Sequence, residues 1–334
     1  MTRVTTFLVA ATLAALAAAP AAAQEKILCV YDPSGANGDA FALAKEFRTA
    51  AVAWGITLNL KPYTDEKTAS EDFKAGKCHG AVMTGVRTRA FNKFSASFEA
   101  MGGLQTYAQM RQLMTNIASP KAGGLMKRGD YETAAIFPGG AVYLFVSDKN
   151  IKTVGDLAGK RIATLDYDVA AKIMVQQVGA SMVVADIGTF AGMFNNGGVH
   201  ACYAPATAYQ PLELKKGLGT KGGIMKYPLA QLTMQVVIRS ADFPATFGQK
   251  SREWAAKEFN KFLKVITKAD KSIPGKYWVD VPKGDQDKYD LLFRDVRVRL
   301  RDNEKAFDGQ ALKLLRKIRC KADATRAECA EQKE

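Results

Sequence analysis

The chain has 334 residues, enough for two domains of about 150 residues each. It carries 47 lysines and arginines against 33 aspartates and glutamates, a formal net charge of +14 at pH 7. In a cytosolic protein this excess would suggest a nucleic-acid partner, but the N-terminal residues indicate export. We therefore expect no nucleic acid among the partners.

Residues 1–23 have the pattern of a cleaved secretory signal. Arg3 supplies a positive start, residues 7–19 form an apolar run, and residues 20–23 provide small side chains before Gln24. The run is shorter than the roughly 18 apolar residues of a membrane-spanning helix. We expect an exported, soluble protein of the periplasm.

The first part of the mature chain alternates strands with helices. Helical spacing places Phe41, Ala44 and Phe47 on one face of a helix that Gly55 ends. Crossover helices between strands require parallel pairing, so we predict an open α/β sheet. The predicted order is strand 26–31, helix 39–54, strand 56–63, helix 65–75 and strand 78–83.

The middle of the chain predicts a hinge between two lobes. A weaker helical pattern covers residues 113–129, and a strand at 134–137 is expected to break at the Pro-Gly-Gly of residues 138–140. A returning strand is predicted at 231–239. Helical patterns occupy residues 251–269, 285–301 and 308–321. The predicted segments are lobe 1 at 24–137, lobe 2 at 138–232, the return strand and hinge at 233–250, and C-terminal helices packing on the lobes at 251–334.

Residues 141–181 carry the most informative pattern. A strand at 141–146 precedes "DLAGKRIA" at 156–163, a helix and "VGAS" at 178–181, an order that resembles the receptors of tripartite (TRAP) carboxylate transporters. With "VYDPSGANGDAF" at 30–41 and "FGQKSREW" at 247–254, nearly all of the mature chain is most similar to the AdeT-type solute-binding proteins. The resemblance implies a two-lobed, type II periplasmic-binding-protein fold of the α/β class with a helical C-terminal region. It also implies a monomeric receptor that delivers a small polar solute to a membrane permease or to efflux components.

All five cysteines lie in the mature chain, where an oxidising compartment permits disulfides. Cys320 and Cys329 are expected to close a C-terminal turn. Cys29 and Cys78 lie in strands that would be neighbours in this fold, so a second bridge is expected there. Cys202 is left over and is interpreted as a buried thiol rather than a nucleophile.

Catalytic signatures are sparse. The sequence has no His-Glu-x-x-His, no Gly-x-Ser-x-Gly and no Walker loop. Residues 217–222 match Gly-x-Gly-x-x-Gly, but no strand precedes them, so we interpret them as a flexible loop. Asp166 and Asp168 could serve a hydrolase or lyase, yet no nucleophile or metal cluster accompanies them. We predict no enzyme, no cofactor and no metal site.

Ligands of open α/β sheets bind beyond the carboxyl ends of the strands, at helix N-termini. The loops at 32–39, 84–89, 166–168 and 203–207 satisfy that rule. Capping is an alternative role for the acidic residues that begin helices, Asp39 and Asp168. The predicted ligand-binding residues, two of them beside the hinge, are Ser34, Asn37, Asp39, Arg87, Arg89, Phe137, Asp166, Tyr167, Asp168, Tyr203 and Gln231.

The resemblance leaves the charge of the solute open. Carboxylate-specific receptors of the tripartite class place an arginine just inside the "GKRI" strand, where this chain has Ala163. Tyr203 stands where their later segment has an acidic residue. Two alternatives remain: a replacement cation from Arg87 or Arg89, or a cationic or zwitterionic solute held by Asp32, Asp166 and Asp168.

The C-terminal helices are rich in basic residues, which indicate either a solvated face or a docking surface for a membrane partner or anionic lipid. The second reading gives an alternative function. The protein would then be an accessory envelope protein, associated with efflux or a transporter, without a small ligand. The basic residues are Arg294, Arg297, Arg299, Arg301, Lys313, Arg316, Lys317, Arg319 and Lys321.

Overall fold

The computed structural model describes residues 24–334, so the predicted signal at residues 1–23 lies outside the described residues. The strands are β1 (Gln24–Tyr31), β2 (Ile56–Tyr63), β3 (Gly80–Thr84), β4 (Lys127–Arg128), β5 (Tyr131–Val146), β6 (Arg161–Leu165), β7 (Ser181–Ala185), β8 (Ala201–Pro205), β9 (Gly223–Met225), β10 (Ala230–Arg239) and β11 (Trp278–Val279). The helices are α1 (Asp39–Val52), α2 (Glu66–Lys74), α3 (Gly85–Thr88), α4 (Lys93–Ala96), α5 (Tyr107–Ala118), α6 (Val169–Gln177), α7 (Phe190–Asn195), α8 (Lys215–Leu218), α9 (Phe247–Lys257), α10 (Phe259–Ser272), α11 (Lys283–Asp302), α12 (Gly309–Ala322) and α13 (Ala327–Glu331).

The strands form one mixed sheet, whose main path runs β2-β1-β3-β10-β5-β8-β6-β7. β1 pairs in parallel with β2 and β3, as the crossover helices predict. β6 pairs in parallel with β7 and β8. The long antiparallel pair of β5 and β10 joins these two parallel groups. We call the part built on β1, β2 and β3 the first lobe and the part built on β6, β7 and β8 the second lobe.

The strand at the predicted hinge does not break. β5 continues from Tyr131 to Val146, because its pairing with β10 resumes on both sides of Pro138. The register shifts there: Thr233 pairs with Pro138 and Leu232 pairs with Gly140, which leaves one extra residue on β5. Proline cannot donate to the ladder, so a bulge is a favourable place for it. The two lobes are therefore joined by a bulged pair of strands.

Two predicted helices have different bounds in the structure. α5 begins at Tyr107, after a capping box between Thr106 and Gln109, and ends at Ala118 instead of reaching residue 129. Ser119 is extended, as expected for a residue before proline, so the helix cannot continue. The helix predicted at 251–269 is two helices, α9 and α10, which meet at Glu258.

Phe137, predicted to contact ligand beside the hinge, is instead a core side chain. It is 2% exposed and packs edge to face against Phe262 at 4.9 Å and Phe47 at 5.9 Å between ring centroids. The ring of Trp254 in α9 also packs against Phe137, with 6.1 Å between the ring centroids. This aromatic cluster fixes α9 and α10 on the sheet.

Both expected disulfides are present. Cys29 and Cys78 join β1 to the residues before β3, with Cα atoms 5.9 Å apart. Cys320 and Cys329 join α12 to α13, with Cα atoms 5.6 Å apart. Cys202 is a free, buried thiol, and burial raises its pKa, which keeps it protonated and inert.

Four of the nine basic residues of the C-terminal helices are internal, which corrects the interpretation of a solvated basic face for those four, whereas Arg299, Lys313, Lys317 and Lys321 are exposed as that interpretation expects. The buried members are Arg294, Arg297, Arg316 and Arg319. Arg319 donates to Glu328 at 2.7 Å and to the Gly103 carbonyl at 2.8 Å, and Arg297 donates to the Met101 carbonyl at 2.7 Å. These bonds tie α11 and α12 to the first lobe and remove the charges of the buried arginines from the surface. Within residues 24–334, no helix combines the length and apolar character needed to cross a membrane.

Candidate functional site

A cavity of about 430 Å³ lies between the two lobes. Its walls include the loops that follow β1, β3, β6 and β8, together with the hinge residues of β5 and β10. These are the loops that the carboxyl-end rule selects from the sequence. α10 closes one side with Phe262, Val265 and Ile266, a contribution that the sequence does not predict.

Most of the predicted residues line this cavity. They are Ser34, Asn37, Asp39, Arg89, Tyr167, Asp168 and Tyr203. Asp32 and Ala163, which the sequence analysis considers for the charge of the solute, also line the cavity. Gln231 does not, because its neighbours Ala230 and Leu232 on β10 face the cavity and alternation directs Gln231 to the other side of the sheet. Asp166 is exposed outside the lining, and Arg87 and Phe137 also lie outside it.

Asp32 organises the loop after β1. Its carboxylate accepts hydrogen bonds from the backbone of Ser34 at 2.8 Å and of Phe41 at 3.1 Å, at the start of α1. Gly38 packs so closely that a Cβ there would lie 1.8 Å from the Asp32 carboxylate, which explains the glycine. Burial raises the pKa of Asp32, although these hydrogen bonds oppose the rise. Asp39 makes no capping bond and is exposed toward the cavity.

Asp168 caps α6 and also positions a tyrosine. Its carboxylate accepts the Ala171 N–H at 3.0 Å and the Tyr203 hydroxyl at 3.3 Å. The Tyr203 hydroxyl in turn accepts the Leu165 N–H at 3.2 Å. The capping interpretation of Asp168 is thus satisfied while the residue still lines the cavity.

Arg87 is held by protein groups rather than aimed into the cavity. Its guanidinium carbon lies 3.5 Å from the ring centroid of Tyr167, and its Nε lies 3.5 Å from Glu66. Glu66 is fully buried and accepts the Tyr167 hydroxyl at 3.1 Å and the Thr84 N–H at 2.7 Å. Burial raises the pKa of Glu66. No pattern in the sequence distinguishes Glu66 from an ordinary acid in the first turn of α2.

Glu99 is a second buried carboxylate that sequence reasoning missed. It accepts the backbone N–H groups of Gly85 at 2.9 Å and Val86 at 2.8 Å, and the hydroxyl and N–H of Thr233, each at 2.6 Å. Burial raises the pKa of Glu99 to about 7, although the bonds from Thr233 lower it. Its position among small and apolar residues at 94–103 is the signal that could have identified a buried acid.

Tyr31 is a polar side chain of the lining without a protein partner. It is 4% exposed, and its hydroxyl makes no hydrogen bond to another of the described residues. The rest of the wall is mainly apolar, with Leu43, Met174, Ile187 and Phe190 facing the same space. Among residues 24–334, no group of three His, Cys, Asp or Glu side chains could hold a metal ion. The cavity therefore suits a small molecule with an apolar part and one or more polar groups.

Known sequences similar to this chain are solute-binding proteins. The model of the family described as "Solute-binding protein AdeT 1/2" matches residues 50–334. The "Probable solute-binding protein AdeT1" of Acinetobacter baumannii is 42% identical over 301 residues, 90% of this chain and 99% of that protein. The "Probable solute-binding protein AdeT2" of the same organism is 25% identical over 233 residues, 70% of this chain and 98% of that protein.

Solved structures with a similar fold are TRAP periplasmic solute-binding proteins. One from Desulfovibrio desulfuricans, with bound sn-glycerol-3-phosphate, has a TM-score of 0.71 and 15% identity and covers 89% of this chain and 97% of its own. One from Sulfitobacter sp. NAS-14.1, with bound β-D-galacturonate, has a TM-score of 0.70 and 12% identity and covers 88% of this chain and 100% of its own. At these identities the likeness shows the fold, which is the two-lobed α/β architecture with a helical C-terminal region.

Proposed function

The chain belongs to the AdeT 1/2 family of solute-binding proteins, and we propose that it captures one small solute between its lobes and delivers it to a membrane transport system. The observation that carries the proposal is the cavity, whose walls combine the strand-end loops of both lobes. Its relatives are solute-binding proteins and not enzymes.

The lobes would open and close about the bulged strands. Residues 24–137 and 138–232 would form the two lobes, residues 233–250 the return to the first lobe, and residues 251–334 the helices that pack on both. The register shift opposite Pro138 supports this assignment, because a bulge allows a strand pair to bend there. Tyr167 supports it as well, because this second-lobe residue reaches Glu66 and Arg87 of the first lobe.

The proposed setting is the periplasm, after removal of residues 1–23, with a membrane permease as partner. The fold of TRAP periplasmic solute-binding proteins supports both points. A monomer would suffice, because one chain supplies every wall of the cavity.

Native mass spectrometry of the protein purified from periplasm tests the proposal. We expect a single small molecule bound to each chain. Small-angle scattering should show a smaller radius of gyration for the loaded protein than for protein stripped of that molecule. A chain that retains no molecule and keeps one radius under both conditions would contradict solute capture by lobe closure.

A further inference from the structure

We propose that Arg89 of the first lobe anchors the solute, and that it selects a monoanion in which one carboxylate or similar group is carried on an apolar body. The inference rests on the proposed function, because it takes the cavity between the lobes as the solute site. Three features of the cavity support it: a cation without a protein partner, acids that the protein already satisfies, and an apolar wall.

Arg89 is the only arginine or lysine among the described residues that line the cavity. Its Nε is buried, and its guanidinium group makes no hydrogen bond or ion pair with any of residues 24–334. The guanidinium carbon lies 5.3 Å from the ring centroid of Phe307, a contact that holds the side chain without supplying an acceptor. A buried donor costs free energy when no acceptor meets it, so the site is complete only when a solute supplies one.

The acids of the lining, in contrast, are already satisfied by protein donors or by solvent. Asp32 accepts two backbone N–H groups at the start of α1, and Asp168 caps α6. Glu99 accepts four hydrogen bonds from protein groups, and its pKa of about 7 leaves it partly protonated at neutral pH. Asp39 is exposed in the first turn of α1, where the helix dipole stabilises an acid. None of these acids requires a cation from the solute.

The anchor comes from the first lobe alone. Arg89 directly follows α3, in the segment after β3. The second lobe contributes no lysine or arginine to the described lining, and at Ala163, in the middle of β6, it offers only a methyl group. The solute should therefore bind the first lobe through its anionic end, and the second lobe should then close over the apolar body.

The apolar wall accounts for the body of the solute and for the limit to one charge. Leu43, Phe190 and Phe262 offer hydrocarbon and ring surface within a cavity of about 430 Å³. An inorganic anion would leave this surface without contact. A second anionic group would find no second cation in the described lining and would lie near its aspartates, so a dianion is disfavoured.

Four probes that share a phenyl group separate the charge classes: phenylbutanoate, phenylbutanol, phenylbutylamine and, as the dianion, phenylsuccinate. Stripped protein is titrated with each at pH 7 by calorimetry. We expect phenylbutanoate to bind about tenfold more tightly than the alcohol, because a hydrogen bond to a charged group is stronger than one between neutral groups. The amine and the dianion should each bind at least about tenfold more weakly than phenylbutanoate.

Arg89→Gln removes the charge of the anchor and should weaken binding of phenylbutanoate about ten- to hundredfold, while the affinity for phenylbutanol stays unchanged. Arg89→Lys keeps a charge but loses the planar fork, so its affinity for phenylbutanoate should be intermediate. Arg48→Gln is the matched control, because Arg48 is exposed on α1 outside the lining and its loss changes the net charge equally. This control should bind phenylbutanoate as the wild type does.

Urea unfolding separates an anchor from a structural arginine. Because the guanidinium group of Arg89 has no acceptor in the solute-free protein, stripped Arg89→Gln should unfold at the same urea concentration as stripped wild type, or at a higher one. A lower midpoint for the stripped variant, together with equal losses of affinity for phenylbutanoate and phenylbutanol, would show a structural role and overturn the inference.

Two binding results would also overturn it. One is tighter binding of the amine or the dianion than of phenylbutanoate, and the other is full affinity for phenylbutanoate in Arg89→Gln. Failure of all four probes to bind would overturn it too. In that case, a different small molecule retained in native mass spectra would leave the proposed function standing, whereas a chain without any retained molecule would remove both.

Discussion

Arg87 and Tyr167 stack across the boundary between the two lobes, with the guanidinium carbon 3.5 Å from the ring centroid. The Tyr167 hydroxyl continues from this stack to the buried Glu66 at 3.1 Å. A second-lobe side chain is thus held by a cation and an acid of the first lobe. We infer that the three residues form a latch that stabilises the closed arrangement around the cavity.

Tyr167 variants test the latch. Tyr167→Phe keeps the ring on Arg87 and removes the hydrogen bond to Glu66, whereas Tyr167→Ala removes both. A hydrogen bond to a charged acceptor is worth roughly 1.5–3 kcal/mol, so solute dissociation should be about tenfold faster in Tyr167→Phe and faster still in Tyr167→Ala. Stopped-flow tryptophan fluorescence measures the rate. Tyr277→Phe, whose hydroxyl bonds to Gly219 away from the cavity, is the control and should dissociate at the wild-type rate. Unchanged rates in both Tyr167 variants would show that no latch operates.

Arg87→Ala should lower stability more than it lowers solute affinity. The substitution leaves Glu66 buried without its cation, at a cost of roughly 1–3 kcal/mol. Glu66→Gln removes the acid's charge, so the double variant should recover part of the loss. Urea unfolding of the wild type, both single variants and the double variant gives the coupling energy. A coupling near zero together with a large loss of affinity would mean that Arg87 contacts the solute directly.

Glu99 gives a prediction for pH. Its pKa in the folded protein is raised to about 7 from an ordinary value of 4.5, so the folded state binds more protons than the unfolded state between these values. Stability from this group therefore falls as pH rises from 4.5 to 7, by at most roughly 3 kcal/mol. Glu99→Gln should abolish that part of the slope, whatever its effect on absolute stability. Urea unfolding at a series of pH values measures the slopes, and parallel curves for the two proteins would refute the assignment.

The sequence predicts the positions of strands and loops well, because hydrophobic periodicity and glycine or proline punctuation are local. It therefore places the loop of Ser34 and the loop of Asp168 at one cavity. The sequence predicts less well which way a single side chain points. Gln231 and Leu232 differ by one position on β10 and face opposite sides, and only the register with β5 decides which faces the cavity. The partners of Arg87 come from distant segments, which periodicity cannot bring together.

The C-terminal disulfide should stabilise the buried ion pairs around Glu328. Arg319 and Arg297 donate to Glu328, and the Cys320–Cys329 bridge holds Glu328 within their reach. Replacing both cysteines by serine should cost roughly 2–3 kcal/mol in free energy of unfolding, from loop entropy alone.

Burial would raise the pKa of Glu328, but the guanidinium groups outweigh it and hold that pKa at about 2. The stability it contributes should be full above pH 4.5 and be lost toward pH 2.

Chemical denaturation at pH 7 and pH 3 checks both parts of this prediction. Cys202→Ala serves as the control, because it removes a thiol without opening a bridge. A double serine variant as stable as the wild type would show that the arginine network alone holds the C-terminal helices.

Gly140, at the bulge, should tolerate a side chain poorly. Its φ of +107° lies in a region that L-residues avoid, and a Cβ there would lie 3.2 Å from Ile266 and 3.8 Å from Pro205, both in the cavity wall. Gly140→Ala should therefore lower stability and also weaken solute binding several-fold. Gly159→Ala is a matched control, because Gly159 also has a positive φ, +70°, but an added Cβ would contact nothing within 4 Å. It should lose roughly 1–2 kcal/mol of stability through backbone strain and keep full affinity. If Gly140→Ala binds the solute as tightly as Gly159→Ala does, the bulge does not control the cavity. Both variants would then lose stability through backbone strain without any loss of solute affinity.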